Sequence, residues 1–379
     1  MAHAVEPVAD DVVTSPGPTR GGRGVWSTPL LRHVVVGLVV FVVGYFVISR
    51  VSPYRDLQLA EVCSYVVVIA ALALLTGQNG QISLGHGALM MIGGYTATLV
   101  SLHLNAPAGI QLVVAGLAGL ITGLLFGLIA ARLRGPYLAG ATLALALALP
   151  AIPTQYGSIF GGDAGLVINQ PSPPSSFGQN YTPQEYLASI GLLVVVITFI
   201  VFANLLRSRF GRNFRVVRDD EVAAQISGIS VARTQIIAFA VSATAAAVGG
   251  ALYTMVSGTV GPEGFTIALS ISLLSAMVIG GLGTIYGAIP GAIILVYAPQ
   301  IVNNYAGQLH LSQGVSANLA LGIYGILLVV VMILFPQGIM GGLGMLWRQI
   351  RRQGSPRRSV ETVSGASEGK YPEAEAPIK

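Results

Sequence analysis

The chain has 379 residues, of which 53% are hydrophobic and only 9% are charged, and its mean hydropathy is +0.73. Since a soluble domain carries about a quarter charged residues, these values exclude an ordinary water-soluble fold. The single cysteine, Cys63, excludes a disulfide framework and a cysteine metal site. The net charge of +5 comes from basic residues beside apolar runs, so we expect membrane lipid, not nucleic acid, as the charged partner.

Ten apolar stretches follow one another along the chain, and most approach the ~20 residues that a helix needs to cross a bilayer. They are 33–49, 57–76, 84–104, 109–131, 137–152, 187–206, 235–257, 266–283, 285–302 and 317–335. The fifth and ninth are short and fit either a crossing or a re-entrant segment. The sequence predicts an all-α polytopic membrane protein with about ten (8–10) transmembrane helices.

The distribution of arginine predicts the orientation, because short cytoplasmic loops are enriched in Arg and Lys. Loop 153–186 contains neither residue, and its polar composition indicates irregular extracytoplasmic surface, whereas 207–233 contains six arginines. An even number of crossings with both termini cytoplasmic satisfies this pattern. We therefore expect a multi-pass protein of the cytoplasmic (inner) membrane.

The same pattern divides the chain into three parts. We expect a disordered cytoplasmic tail at 1–30, a membrane domain at 31–347 containing the cytoplasmic loop 207–234, and a second disordered cytoplasmic tail at 348–379. No short cleavage pattern follows the first apolar run, so we expect this run to be retained.

A first polar island, 76–97, interrupts the apolar background with amides, a histidine and six glycines. Polar groups at this depth are tolerated when they face other helices or a water-filled path. The island is either part of a translocation path or its cytoplasmic gate, or a packing seam that touches no solute. For His86 alone, a structural hydrogen bond is favoured. The candidate path or gate residues are Gln78, Asn79, Gln81, Ser83 and His86.

A second island, 207–230, predicts a short cytoplasmic helix. We expect Asp219 to cap it, an acidic first turn, a small face, and a left-handed glycine after its last turn. Because so short a helix is marginal in water, it must be held by packing or by another protein. The alternative is a solvated loop that only fixes topology. The residues concerned are Asp219, Asp220, Glu221, Ala223, Ala224 and Gly228.

Two glycine triplets repeat every fourth residue, so each is predicted to line one helix face. Small residues at this spacing favour close helix packing in membranes over solute contact. The triplets are Gly119, Gly123 and Gly127, and Gly283, Gly287 and Gly291.

Enzyme motifs are missing from the sequence: it has no HExxH, no CxxC, and no GxSxG at a strand-to-helix turn. The segment "GASEGKY" has the wrong glycine spacing for a phosphate loop and carries Tyr371 after its lysine. Ion-coupled carriers use intramembrane carboxylates, and only Glu61 is a candidate. We predict a protein that is not an enzyme, binds no metal or cofactor of its own, and takes its energy from another subunit.

Seven segments in order resemble the branched-chain amino acid type of ABC importer permease, in particular the longer of its two membrane subunits. The resemblance covers about 57–340. The segments are "GQNGQISLGHGALMMIGGYTA", "RLRGPYLAGATLALAL", "FGGDAGL", "GRNFRVVRDDEVAAQISGISV", "AFAVSATAAAVGGALY", "PEGF" and "VIGGLGTIYGAIPGA".

The resemblance implies a partner at the second island, because the family's E-x-A-A-x-x-x-G pattern docks into an ATPase subunit. It falls on Glu221, Ala223, Ala224 and Gly228. The resemblance further implies a second permease subunit, two ATPase subunits that bind ATP and Mg, and an extracytoplasmic solute-binding protein.

The implied solutes are leucine-, isoleucine- or valine-like amino acids moving inward. Family members commonly have Gly-Glu-Ile-x-x-Arg after "YLAGATLALA", but this chain has the uncharged "LALALPAIP" at 145–153. Urea, amides and other small solutes therefore remain alternatives. An ion-coupled secondary transporter is a further alternative from a different class.

Overall fold

The computed structural model describes residues 29–308 apart from 134, 169 and 175–180, together with several residues between 322 and 342. The predicted tails 1–30 and 348–379 lie outside these residues, except for Pro29 and Leu30, which begin the first helix. Most of the tenth apolar stretch, 317–335, also lies outside them.

Helices make up nearly all of the described chain. In chain order they are α1 Pro29–Ile48, α2 Pro53–Leu72 with a π-helical continuation Ala73–Gln78, α3 His86–Leu104, α4 Ala108–Ala130, α5 Pro136–Ala148, α6 Ala151–Gln155, α7 Gly157–Phe160, α8 Pro183–Arg207, α9 Arg209–Asp219, α10 Glu221–Ile226, α11 Val231–Ser257, α12 Ile267–Gly280 and α13 Ala288–Gln308. Single 3₁₀ turns occur at Gly162–Ala164, Pro262–Phe265 and Ile285–Gly287.

Among the described residues, seven helical segments are long and apolar enough to cross a membrane, and two shorter apolar helices accompany them. These nine segments correspond one by one to the first nine predicted stretches. The fifth, Tyr137–Gln155, has the length of a crossing, whereas the ninth, Ile285–Ile301, is one of the shorter helices. The predicted class, an all-α polytopic membrane protein, is confirmed.

The centre of the domain is formed by α2 and α11. In their most apolar windows 78% and 67% of the residues are buried, against 33% for both α4 and α8. Helix α11 packs against α2, α3 and α4, while α2 also packs against α8 and α13, and α1 packs on α8. The outer helices expose large apolar side chains such as Val113 and Leu124, which is the surface that lipid requires.

The three glycines of α4 lie on the face that meets α11. A Cβ atom added to Gly123 would stand 2.6 Å from the Ala243 Cβ and 2.8 Å from the Ala240 Cα. A Cβ at Gly119 would stand 2.5 Å from the Ala247 Cβ, and one at Gly127 would stand 3.2 Å from the Ile236 Cα, both in α11. Glycine is therefore required here for the two helix backbones to approach.

The second triplet departs from the predicted single helix face. Gly291 lies in α13 against Ala276 of α12, and Gly287 in the preceding 3₁₀ turn lies against Gly280. Gly283 lies in the turn between α12 and that 3₁₀ segment, and a Cβ there would meet no atom within 4 Å. The glycine spacing was interpreted as one continuous helix, which the chain does not form.

The loop 153–186 is more ordered than predicted. It contains α7, a 3₁₀ turn and the strand β1, Leu166–Val167, which pairs antiparallel with β2, Thr259–Val260. The registers are Leu166 with Val260 and Val167 with Thr259. The prediction of an irregular surface was wrong for β1. A two-residue strand depends on a partner distant in the chain, so the local sequence does not indicate it.

Candidate coupling site and gate

Helix α9 is amphipathic and lies against the membrane helices. Phe214 and Val217 are buried and Gly211 packs directly on Leu206 of α8, while the arginine side chains are exposed. The Ser208 hydroxyl caps its start by accepting a hydrogen bond from the Phe210 N–H at 3.2 Å. These contacts anchor α9 on the membrane domain and make it a platform for α10.

Helix α10 begins one residue later than the sequence predicted. The cap is Asp220, whose carboxylate accepts hydrogen bonds from the N–H groups of Val222 at 2.8 Å and Ala223 at 3.0 Å. Asp219 instead ends α9, where its carboxylate accepts two bonds from Arg218, at 3.0 and 2.9 Å. The prediction of Asp219 as the cap was wrong, since two adjacent aspartates offer the same signal.

The predicted end of α10 at Gly228 is confirmed. Gly228 has a φ of +77°, and its N–H donates to the Gln225 carbonyl at 2.9 Å. The Ile229 N–H donates to the Ala224 carbonyl at 2.9 Å, which completes a Schellman motif. A residue with a Cβ is strained in this conformation, so glycine determines how the chain leaves the helix.

The two alanines of α10 face opposite ways. Ala224 is fully buried, whereas Ala223 is exposed together with Val222 and Ile226, which are 65% and 83% exposed. The face available to another protein is therefore Val222, Ala223 and Ile226, here called the docking face. The Gln235 side-chain amide of α11 donates a hydrogen bond to the Glu221 Oε1 at 3.1 Å.

The gate segment, residues 76–86, joins the end of α2 to the start of α3. It is tied to α9 by the Arg218 guanidinium, which donates to the Gly77 carbonyl at 2.7 Å. The Gln78 amide donates to the Gly283 carbonyl at 3.0 Å, and the Thr76 hydroxyl donates to the Gln81 carbonyl at 2.9 Å. The two predicted polar islands thus meet at Arg218, just before the cap of α10.

His86 lies buried with both ring nitrogens occupied. Nδ1 is 3.1 Å from the Ser83 hydroxyl, and Nε2 is 2.9 Å from the Ser242 hydroxyl, which in turn donates to the Ala71 carbonyl at 2.7 Å. This arrangement joins α3, α11 and α2. The geometry suits a structural role for both His86 and Ser83.

Two amides of the gate segment are buried without a hydrogen-bond partner in the described part of the chain. Asn79 is 2% exposed and Gln81 is 4% exposed, and none of their side-chain nitrogen and oxygen atoms is bonded. A buried unpaired amide costs roughly 1–3 kcal/mol, so each of these side chains needs a partner outside the described residues, such as water, an ion or a solute. Of the five predicted path residues, these two have free bonding capacity.

The sequence did not predict the surroundings of two charged residues, Arg218 and Asp56. The sequence presents Arg218 only as one of the arginines that set topology, and nothing near it indicates the carbonyl of a residue 141 positions away. The predicted second span begins after Asp56, but α2 begins at Pro53 and therefore includes Asp56. The Asp56 carboxylate is buried and has no hydrogen-bond partner among the described residues.

Comparison with known proteins identifies relatives of this chain by sequence. The model of the branched-chain amino acid transport system permease component matches residues 58–332. The chain is 29% identical over 338 residues to the high-affinity branched-chain amino acid transport system permease protein LivM of Escherichia coli, covering 83% of this chain and 76% of that one. It is 27% identical to BraD of Pseudomonas aeruginosa, covering 73% and 92%, and 25% identical to LivH of Escherichia coli, covering 73% and 91%.

Proposed function

The chain belongs to the family of branched-chain amino acid transport system permease components, and from this we propose that it is the membrane-spanning permease subunit of an ATP-driven ABC importer. The proposed solutes are branched-chain or related small amino acids, moving inward across the cytoplasmic membrane. The proposed assembly adds a second permease subunit, two ATPase subunits that bind ATP and Mg, and an extracytoplasmic solute-binding protein.

The observation that carries this proposal is the exposed docking face on a helix capped at both ends. An isolated six-residue helix is unstable in water, yet α10 presents Val222 and Ile226 to the outside. Apolar side chains on a short, rigid helix suit a groove in another protein. A loop that served only to fix topology has no need of them.

The proposed mechanism transmits movement from α10 to the gate segment. Closure of the ATPase dimer displaces α10, and α9 moves with it because only the cap residue Asp220 separates the two helices. Arg218 then pulls on the Gly77 carbonyl within the π-helical end of α2. Since π-helical turns are less regular than α-helices and occur at functional sites, this end is suited to rearrange.

Opening of the gate segment is proposed to expose Asn79 and Gln81 to the solute. Each amide has a donor NH₂ and an acceptor oxygen, so Asn79 and Gln81 can accept from the ammonium group and donate to the carboxylate group of an amino acid. The uncharged segment 145–153 lacks the acid and base common in the family, and urea or amides remain the second candidate on that ground.

The proposal is tested by affinity purification of the chain from its native membrane, with partners identified by mass spectrometry. We expect a second permease, an ATPase and a solute-binding protein, and the ligand retained by the binding protein identifies the solute. A variant with Ile226→Asp should lose the ATPase and keep the second permease, while Phe210→Asp, at an exposed apolar position of α9 outside the docking face, serves as the control for a new surface charge. Recovery of the ATPase with Ile226→Asp at the wild-type level would refute the docking face.

A further inference from the structure

The start of α1 and the end of α8 enclose a groove with a volume of about 360 Å³. Its sides are apolar, and the side chains of Val36 and Val40 on α1 are 57% and 50% exposed. The stacked rings of Phe199 and Tyr286, 5.5 Å apart, form one wall, and Ala203 leaves room between the helices. The groove therefore has the shape and polarity of a site for a hydrocarbon chain.

One end of this groove is strongly basic. Arg32 and Arg207 both line it, and the neighbouring His33 Nδ1 is 2.9 Å from the Asn204 Oδ1, so the two helices are fixed together at this end. No Asp or Glu is among the described residues that line the groove. The arginine-rich α9 comes directly after α8, which places this end at the cytoplasmic surface by the distribution of positive charge.

We propose that this groove is a binding site for an anionic phospholipid of the cytoplasmic leaflet. The phosphate headgroup lies between the Arg32 and Arg207 guanidinium groups, and one acyl chain follows the apolar groove past Ala203 and Val40. Arginine suits a phosphate because its planar guanidinium group donates two parallel hydrogen bonds. Basic pockets between membrane helices on the cytoplasmic side are the usual setting for such lipids.

A lipid fits these observations better than a helix of a partner subunit. A packed helix would bury the two arginines at the end of the groove and would have to supply paired carboxylates at that depth. A phospholipid supplies the negative charge and the apolar chain in one molecule. The exposed apolar residues of α1 along the groove face the space where lipid lies.

The test measures lipid retained by the purified full-length chain in native mass spectrometry, with equal amounts of phosphatidylglycerol and phosphatidylcholine offered. Each arginine near an anionic headgroup contributes about five-fold in affinity, so Arg32→Gln with Arg207→Gln should reduce the preference for phosphatidylglycerol by roughly 30-fold. The matched control is Arg132→Gln with Arg209→Gln, which removes the same charge from exposed positions that do not line the groove. This control should keep the preference.

A second variant tests the acyl chain. Ala203→Phe fills the groove and should release the lipid, whereas Leu193→Phe, exposed on the same helix outside the groove, should not. Equal loss of preference in both arginine pairs would show a general surface attraction and overturn the site. Lipid retention by Ala203→Phe, or displacement by equimolar inorganic phosphate, would show a headgroup site without a chain groove and overturn the proposal in that form. Loss of the second permease from the purified complex with Ala203→Phe would assign the groove to a helix interface instead.

Discussion

Replacement of Gly228 by valine should lower ATP hydrolysis and transport together without unfolding the membrane domain. A Cβ at this position would meet no atom within 4 Å, so the change creates no steric clash. Its cost comes from the backbone, because φ is +77° and an L-residue there costs about 1–2 kcal/mol, most for a β-branched side chain. This equals or exceeds the roughly 1 kcal/mol contributed by a cap such as Asp220.

A penalty of about 1.4 kcal/mol lowers the equilibrium constant for the correctly shaped α10 about ten-fold, and the population follows it because so short a helix is marginal. We therefore expect solute-stimulated ATP hydrolysis and uptake to fall together by about that factor, with weaker retention of the ATPase subunits and unchanged yield in the membrane. Gly228→Asn should be milder, since asparagine tolerates the left-handed conformation. Gly109→Val, at an open position without positive φ, is the matched control. Wild-type uptake by Gly228→Val with the ATPases fully bound would show that the conformation at Gly228 does not affect docking.

The contacts of Arg218, the α4 glycines and the charged loops lead to three further predictions. Arg218→Gln removes a charged hydrogen bond, worth about 1.5–3 kcal/mol before allowance for its partial exposure. This variant should transport less solute per ATP hydrolysed while the ATPases stay bound. An unchanged ratio of uptake to ATP hydrolysis would contradict the proposed link to the gate segment. Gly123→Leu should lower the stability of the folded protein by at least about 1–3 kcal/mol, and with it the yield and the melting temperature. Gly140→Leu, at a position with no atom within 4 Å, should change neither. Equal yields of the two variants would exclude a packing role for Gly123. In a Cys63→Ala background, Ser172→Cys should react with a membrane-impermeant thiol reagent in intact cells and Ser230→Cys should not, and the reverse result would invert the predicted orientation.

Local signals in the sequence predicted those features that depend on neighbouring residues. The nine described apolar helices follow from hydrophobic length, and the end of α10 at Gly228 follows from a glycine after a short helical pattern. The α4 face of Gly119, Gly123 and Gly127 follows from the spacing of four residues. Each of these depends on the chemistry of one continuous segment.

Features that depend on distant residues were not predictable in the same way. The π-helical turn Ala73–Gln78 has no composition signal, and the Arg218–Gly77 hydrogen bond joins segments far apart in sequence. The cap was misplaced from Asp220 to Asp219 because the sequence did not show that α9 would extend to Asp219. Asn79 and Gln81 were among five polar candidates, and only packing separates them from the bonded Ser83 and His86.

Solute uptake into reconstituted proteoliposomes tests whether ATP drives transport through this subunit. Proteoliposomes containing the chain with the second permease and ATPase subunits would be supplied with binding protein and labelled leucine on one side and ATP on the other. We expect uptake that requires ATP and every subunit, and that falls about ten-fold with Gly228→Val. Uptake by this chain alone, driven by an ion gradient and unaffected by ATP, would contradict it.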